Sequence, residues 1–312
     1  MPITNNEIAV MIEVARLYYE HQFSQQQIAD KIGISRPGVS RLLQHARDTG
    51  IVKIEIRDPQ QIGTHLEGDL RKKFSLKQVV VVPTDDDLRI TKRRLGHAAV
   101  KMLDSLMRAD IILGVSWGTT MQEVARQVSR RPLKNVIVVQ LNGGVSRAEY
   151  DTHSSEIAQK IGIKYDAIPY LLPLPAIVDS PAVKDAITSD KNIARTLDLA
   201  RQAPVSLFTV GLFDRQSVLV KADYFTDSEV DDLLENGAIA DICSRIITTE
   251  GKVCSAELNT RTIGIDLEEI RKKQYSIAVA GGKEKIPAIR AGLKSGIFNT
   301  LITDESVAEE LL

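Results

Sequence analysis

The spacing of apolar and polar positions changes along the chain and predicts two unequal parts. In residues 7–21, apolar side chains recur at helical spacing and predict an amphipathic helix. Two more short helices are predicted up to Gly50, and from residue 78 onward short apolar strands alternate with amphipathic helices. A length of 312 residues accommodates two such domains. We therefore predict one domain over residues 1–57 and a second over 58–312.

The two short helices are predicted from their caps. Ser24 and Gln27 form a capping-box pattern, and Gly33 ends the helix that follows. Ser35 caps the next helix, and Pro37 fits its first turn. Two short helices joined by a tight glycine turn, after a supporting helix, form a helix-turn-helix. The apolar face predicted for the supporting helix consists of Ile8, Met11, Ile12, Ala15 and Tyr19.

The third helix carries the candidate DNA contacts. If its Val39, Leu42 and Leu43 are buried, polar groups project from its N-terminal half, which in a recognition helix enters the major groove. The start of the second helix can hold the DNA backbone, and IVKIEIR (51–57) is predicted as a short strand or wing. The alternative is a small helical bundle used for protein contacts. The candidate DNA contacts are Gln25, Gln26, Ser35, Arg36, Ser40, Arg41 and Gln44.

Charge alone gives no support for nucleic-acid binding. The net charge of the chain is −1, and residues 1–57 contain seven Lys and Arg against six Asp and Glu. A single module this weakly basic binds DNA poorly, because phosphate neutralisation supplies much of the affinity. We therefore expect a dimer that contacts two half-sites of double-stranded operator DNA.

The second part of the chain is predicted to be an α/β domain. Its apolar runs are predicted as strands of a mostly parallel sheet with helices on both faces, and DPQQIG (58–63) is predicted as a hinge before it. Ligands bind such sheets at the carboxyl ends of the strands. The predicted strands lie in 78–83, 110–117, 135–141, 205–213, 276–282 and 300–303, and the helices in 64–74, 88–108 and 119–130.

Three glycine-rich loops follow predicted strands. GVSWGTT (114–120) combines glycines and hydroxyls with the free amides of a helix start, which suits a phosphate. LNGGVS (141–146) allows close approach of the main chain, and AGGKEK (280–285) adds Lys283 and Lys285. Each loop alone is also compatible with an ordinary strand-to-helix turn. Together, the three loops predict a site for a phosphorylated ligand.

Several classes of protein are disfavoured. The composition is that of a globular protein, with 43% hydrophobic and 26% charged residues, and no apolar run has the length of a membrane span. The two cysteines do not form a disulfide scaffold or a zinc motif. No P-loop or GxGxxG motif is present, and His97 and His153 lack a second metal ligand. We expect a cytoplasmic protein without cofactor or metal.

Eight motifs distributed along the chain form one combined pattern: ARLYY (15–19), SQQQIA (24–29), ISRPGVSRLLQ (34–44), GVSWGTTM (114–121), VVQLNGG (138–144), DICSR (241–245), RTIGI (261–265) and VAGG (279–282). With these motifs the chain resembles the SorC family of bacterial sugar-responsive regulators over nearly its whole length. This resemblance implies a winged helix-turn-helix domain and a Rossmann-like effector domain similar to sugar-phosphate isomerases and deaminases. It also implies a homodimer or homotetramer that acts as a repressor and releases or remodels its operator contact when a phosphosugar binds.

The resemblance also implies a set of effector contacts. Gly118, Thr119 and Thr120 are expected to hold the phosphate with help from Lys285, and Asp241 to contact sugar hydroxyls. For Asp241 the alternative is a cap on a following helix. The complete set is Ser116, Gly118, Thr119, Thr120, Asn142, Gly143, Gly144, Ser146, Asp241 and Lys285.

Asn142 departs from the pattern expected of members that respond to deoxyribose phosphate, in which a lysine forms an imine with the sugar aldehyde. An amide can only hydrogen-bond, so the effector is either deoxyribose 5-phosphate bound without a covalent link or a different phosphosugar or phosphopolyol.

An alternative function is a phosphosugar isomerase or deaminase with an appended regulatory domain. That chemistry requires a base and an acid partner, and of these only Asp241 is present in the motifs. A protein-interaction scaffold would leave the three loops unexplained.

Overall fold

The computed structural model describes residues 5–52, 59–145 and 152–312. The chain divides into two compact units, residues 1–58 and 59–312. The helices of the first unit are α1 (Asn5–Tyr19), α2 (Gln25–Ile32) and α3 (Arg36–Asp48).

The caps of α2 and α3 agree with the sequence. Ser24 and Gln27 form both hydrogen bonds of a capping box, and Gly33 ends α2 in the left-handed conformation with φ of 76°. The Ser35 hydroxyl accepts a hydrogen bond from the Gly38 amide at the start of α3. The turn between the two helices is therefore fixed by local side-chain chemistry.

The buried face of α1 is rotated from the predicted one. Met11, Val14, Ala15 and Leu17 are buried, but Ile12 is 37% exposed. The inclusion of Ile12 in the buried face was therefore wrong. The reason is that Val14 and Leu17 pack against Ile28, Val39 and Leu43, which turns Ile12 toward solvent.

The second unit is built on a seven-stranded sheet. All its strand pairings are parallel, and the order is β1-β10-β9-β5-β2-β3-β4. A separate three-stranded antiparallel sheet has the order β6-β7-β8. The strands are β1 (Gln78–Val82), β2 (Ile112–Val115), β3 (Ile137–Gln140), β4 (Ile168–Tyr170), β5 (Val205–Phe208), β6 (Val210–Leu212), β7 (Ala238–Ile242), β8 (Arg245–Thr248), β9 (Tyr275–Val279) and β10 (Thr300–Asp304).

Helices cover the parallel sheet, and two apolar clusters of side chains form its core. The helices of this unit are α4 (Pro59–Lys73), α5 (Leu88–Leu106), α6 (Thr119–Gln127), α7 (Ser154–Tyr165), α8 (Pro181–Thr188), α9 (Lys191–Gln202), α10 (Val218–Lys221), α11 (Asp227–Glu235), α12 (Ala256–Arg261), α13 (Leu267–Arg271), α14 (Ile286–Ser295) and α15 (Glu305–Leu311), with a short 3₁₀ helix at Lys283–Lys285.

Two predicted elements are corrected. The hinge predicted at 58–63 was wrong for residues 59–63, because α4 begins at Pro59, and proline is well tolerated in the first turn of a helix. The apolar run 205–213 is not one strand. It divides at Thr209 into β5 of the parallel sheet and β6 of the antiparallel sheet.

Candidate functional site

The strand order places a topological switch point between β2 and β5. From β2 the chain continues outward to β3 and β4, whereas β5 lies on the other side, next to β9. The loops that leave β2 and β5 therefore diverge at their carboxyl ends, and ligands of α/β proteins bind in the crevice formed there.

A cavity of about 240 Å³ opens at this point. The cavity is lined by residues from the β2–α6 loop, the β5–β6 junction, α10, β7 and the 3₁₀ helix after β9. Its lining consists of Trp117, Gly118, Thr119, Thr120, Thr209, Gly211, Leu212, Asp214, Gln216, Ser217, Val218, Leu219, Asp241, Glu284 and Lys285.

One wall of the cavity is the start of α6. Gly118 precedes this helix with φ of 129°, and no side chain caps its first turn. A Cβ atom at Gly118 would lie 3.1 Å from Cγ2 of Thr209, so the turn favours glycine in both conformation and space. The first amides of α6 have no partner within the helix, and free amides at a helix start are groups that bind anions.

Two lysines add positive charge to this wall. The Lys92 Nζ donates a hydrogen bond of 3.2 Å to the Thr119 hydroxyl. Burial, assisted by the charge of Lys92, lowers the pKa of Lys285 to about 8, against the effects of the nearby Glu284 and Asp241 carboxylates. Two ammonium groups held close together repel each other unless an anion lies between them. Lys92 was not predicted, because nothing in the sequence distinguishes it from the other basic residues of α5.

The remaining wall carries polar atoms without partners. Among the described residues, Oδ1 of Asp241 and Oγ of Ser217 are buried and have no hydrogen-bond partner, and both residues line the cavity. Burial raises the pKa of Asp241 to about 7, against the effects of a hydrogen bond from the Ser244 amide and the charge of Lys285. Buried polar atoms are usually satisfied, so this wall suits a ligand rich in hydroxyls.

Asp241 does not cap a helix. It lies on β7 opposite Gly211 of β6. The next residues form the two-residue turn Cys243–Ser244 of a β-hairpin, with φ of 51° and 65°. The alternative interpretation of Asp241 as a helix cap was therefore wrong, since DICSR is a hairpin turn.

Several predicted contacts lie outside the lining of this cavity. Asn142 is 1% exposed and Ser116 6%. A Cβ atom at Gly143 would lie 2.4 Å from the Pro175 carbonyl oxygen, and one at Gly144 would lie 2.6 Å from Nε1 of Trp117. These residues support the wall behind Trp117, whose indole N–H donates to the Gly143 carbonyl at 2.8 Å. Ser146 lies outside the described residues, and Lys283 is exposed.

The candidate DNA surface on α3 has the predicted orientation. Val39 and Leu43 are buried, and Leu42 is half-buried. The side chains predicted to contact DNA from α3 and its cap are all exposed: Ser35, Arg36, Ser40, Arg41 and Gln44. The predicted wing falls mostly on residues 53–57, outside the described residues.

The predicted contacts of α2 differ in exposure, because Gln26 is exposed and Gln25 half-buried. Gln26 donates to Asp30, and Gln44 of α3 donates to Asp48, within their own helices. No partner is recorded in the described structure for the side chains of Arg36 and Arg41. These two guanidinium groups are therefore available to an external anion.

A larger groove of about 840 Å³ runs along β1 and α5. It is lined by apolar residues such as Val80, Val82 and Met102, and by the basic residues Arg93 and Lys101. It lies beside an edge strand and away from the switch point, so the smaller cavity is the better candidate for a small-ligand site.

Two kinds of feature are absent from the described part of the chain. No group of His, Cys, Asp and Glu side chains there could hold a metal ion. None of its helices combines the length and apolarity needed to cross a membrane.

Comparisons with known proteins cover both units. Residues 59–312 match the family model described as a putative sugar-binding domain. The chain is 40% identical over 303 residues to the deoxyribonucleoside regulator of Bacillus subtilis (strain 168), covering 96% of each chain. It is 29% identical to the sorbitol operon regulator of Klebsiella pneumoniae over 99% of each chain. The crystal structure of full-length SorC from Klebsiella pneumoniae matches 99% of each chain with a TM-score of 0.74 and 28% identity.

Proposed function

The chain belongs to the SorC family of transcriptional regulators, and from this premise we propose that it is a DNA-binding repressor controlled by a phosphorylated sugar. The sugar phosphate binds in the cavity between β2 and β5 and releases or remodels the operator contact. The relatives named above are regulators, so the isomerase or deaminase alternative is set aside. Their names support an operon for carbohydrate or deoxyribonucleoside catabolism.

One observation carries the proposal about the ligand. The uncapped start of α6 and the ammonium groups of Lys92 and Lys285 converge on one side of a cavity that also contains two unpartnered polar atoms, on Asp241 and Ser217. A helix start with lysines binds a phosphate, and a carboxylate with a hydroxyl binds sugar hydroxyls. In this assignment Gly118, Thr119 and Thr120 contact the phosphate.

The DNA contacts are assigned to the helix-turn-helix. Arg36, Ser40, Arg41 and Gln44 of α3 contact the major groove, and Ser35 contacts the DNA backbone at its start. Gln25 and Gln26 of α2 also hold the backbone. A homodimer or homotetramer supplies the second half-site that a weakly basic module requires. Control follows if the effector binds one subunit arrangement better than the other and so changes the spacing of the two α3 helices.

The buried position of Asn142 supports non-covalent binding of the effector. Its amide is already bonded to two hydroxyls and cannot form an imine. Deoxyribose 5-phosphate therefore binds here without a covalent bond to residue 142, or a related phosphosugar or phosphopolyol takes its place.

A thermal-shift panel of pentose and hexose phosphates tests this proposal, with the unphosphorylated sugars as controls. A ligand present at 100 times its dissociation constant stabilises its site by roughly 2.7 kcal/mol. We expect one phosphosugar, and not its parent sugar, to raise the melting temperature and to weaken operator binding. If no phosphorylated ligand changes either quantity, the assignment of the cavity is wrong.

A further inference from the structure

A buried chain of hydrogen bonds runs behind the ligand cavity. The Ser116 hydroxyl donates to Oδ1 of Asn142 at 2.8 Å, and Nδ2 of Asn142 donates to the Ser244 hydroxyl at 2.7 Å. All three side chains are buried, with Asn142 only 1% exposed. The Asn142 amide therefore uses its acceptor and its donor at the same time.

The two ends of this chain belong to different walls of the cavity. Ser116 immediately precedes Trp117 in the loop that leads into α6. Ser244 lies in the hairpin turn after β7, and its main-chain N–H donates to the carboxyl group of Asp241. Through Asn142, the wall at the start of α6 is therefore tied to the wall that carries Asp241.

The hairpin turn requires such a support. Cys243 and Ser244 both have positive φ, 51° and 65°, a conformation that is costly for residues other than glycine. Asn142 is itself held in place, because it bridges to Gly264 and a Cβ atom at Gly264 would lie 2.8 Å from its own Cβ. The turn is thus supported at Ser244 by the Asn142 amide, and at Cys243 by a side-chain hydrogen bond with Ser116.

We propose that Asn142 is a positioning residue that fixes the separation between the anion-binding wall and Asp241, and so sets the phosphate-to-hydroxyl spacing that an effector must match. This proposal rests on the proposed function of the cavity. Asn142 makes no contact with the ligand in this scheme and acts through Ser244 and Asp241.

Hydrogen–deuterium exchange on the full chain without ligand directly tests whether Asn142 links the two walls of the cavity. The variant Asn142→Leu keeps the approximate size of the side chain and removes both its donor to Ser244 and its acceptor for Ser116. An aspartate would not do so, because its carboxylate can accept a hydrogen bond from each hydroxyl. We expect exchange of the amides in 241–245 and in 116–120 to rise about tenfold, which corresponds to the loss of one buried hydrogen bond in each segment. Exchange in β9 and β10 is expected to stay unchanged.

A matched control and a second variant complete this test. Ser276 is fully buried on β9, and its hydroxyl donates to the Ile297 carbonyl away from the cavity. Ser276→Ala is expected to leave exchange in 241–245 unchanged. Ser244→Ala is expected to reproduce the local pattern if Asn142→Leu does not fold. Uniform acceleration in all segments, or none, would overturn the proposal.

Ligand titration then tests the consequence for specificity. Trp117 is the only tryptophan of the chain and lines the cavity, so its fluorescence reports on binding there. We expect Asn142→Leu, which adds no charge, to weaken binding of deoxyribose 5-phosphate about tenfold while leaving that of inorganic phosphate within about twofold. A double-mutant cycle with Asp241→Asn is expected to be non-additive.

The outcomes separate the two proposals. Equal losses for both ligands, or an additive cycle, would show that Asn142 does not act through Asp241. If the wild-type protein binds neither ligand nor any other phosphosugar, the proposed function fails. In that case the exchange experiment alone still decides whether Asn142 joins the two walls.

Discussion

The two candidate sites of this protein are built in opposite ways. The candidate DNA surface consists mostly of exposed side chains within residues 25–44, on α2 and α3 above a small apolar core. The ligand cavity combines side chains from five separate segments, between Trp117 and Lys285, and places polar groups in a largely buried setting. Substitutions on the exposed surface are expected to change binding alone, whereas those around the cavity are expected to change both binding and folding.

The largest expected effect belongs to Arg245, which supports the buried region. It is 2% exposed and donates to the carbonyl groups of Ile265 and Gly264, and it forms an ion pair with Asp266. Arg245→Met leaves these carbonyls without a donor and should lower the free energy of unfolding by about 3 kcal/mol, measured by urea denaturation. The exposed pair of Arg201 with Asp198 is the control, and Arg201→Met should cost about 0.5 kcal/mol or less. If both variants lost the same free energy of unfolding, the expected difference between the buried and the exposed region would be wrong.

Charge reversal on α3 tests the exposed candidate DNA surface. Arg41→Glu places a negative charge against DNA phosphates and should reduce affinity for the operator about 100-fold, measured by fluorescence anisotropy. The melting temperature should change by about 1 °C at most, because Arg41 is exposed. Arg16→Glu, on the exposed side of α1, is the control and should retain affinity. Unchanged DNA binding by Arg41→Glu would contradict the assignment of α3.

A smaller effect is expected at the phosphate wall of the cavity. Lys285→Gln removes one charge from the site and should weaken binding of the active phosphosugar about tenfold, measured by the quenching of Trp117. The neighbouring Lys283 is exposed and does not line the cavity. Lys283→Gln is therefore a matched control, and an equal loss in both variants would indicate only long-range electrostatic attraction.

The smallest expected effect is a pH dependence of stability that arises from Asp241. Its folded-state pKa of about 7 lies above its ordinary value, so the folded protein retains a proton that the unfolded chain releases. Asp241 therefore costs progressively more stability as pH rises from about 4 through 7. The melting temperature of Asp241→Asn minus that of the wild-type protein should therefore be larger at pH 8 than at pH 4.5. A constant difference between the two proteins would show that Asp241 titrates normally.

The structural features that depend on local chemistry were predicted from the sequence. The capping box at Ser24, the left-handed Gly33 and the buried Val39 and Leu43 were all read from spacing and residue type, and the structure confirms them. The parallel strands were predicted for the same reason, because a fully buried strand is a short continuous apolar run.

The elements that the sequence did not predict depend on distant contacts. The β7–β8 hairpin turns on Cys243 and Ser244, which lack the Asn-Gly signal of such turns, and the turn is supported by Asn142 a hundred residues earlier. The division between two sheets falls at Thr209, but the sequence does not distinguish this residue from Ser206, which lies within β5 of the same run. Lys92 could not be selected from its basic helix, since only the folded chain brings it to Thr119.

The position of β1 in the sheet has a consequence for the order of synthesis. In the described sheet β1 pairs with β10, and its residue Gln78 lies opposite Thr300, which is 222 residues later in the chain. On the ribosome, β1 therefore remains without its neighbour until the segment containing β10 has emerged, and long-range pairing of this kind is slow. The helices of residues 5–48 make their contacts within a short stretch and need no such wait. A nascent chain thus acquires the unit of residues 1–58 first, and completes the unit of residues 59–312 only after the segment containing β10 has been made.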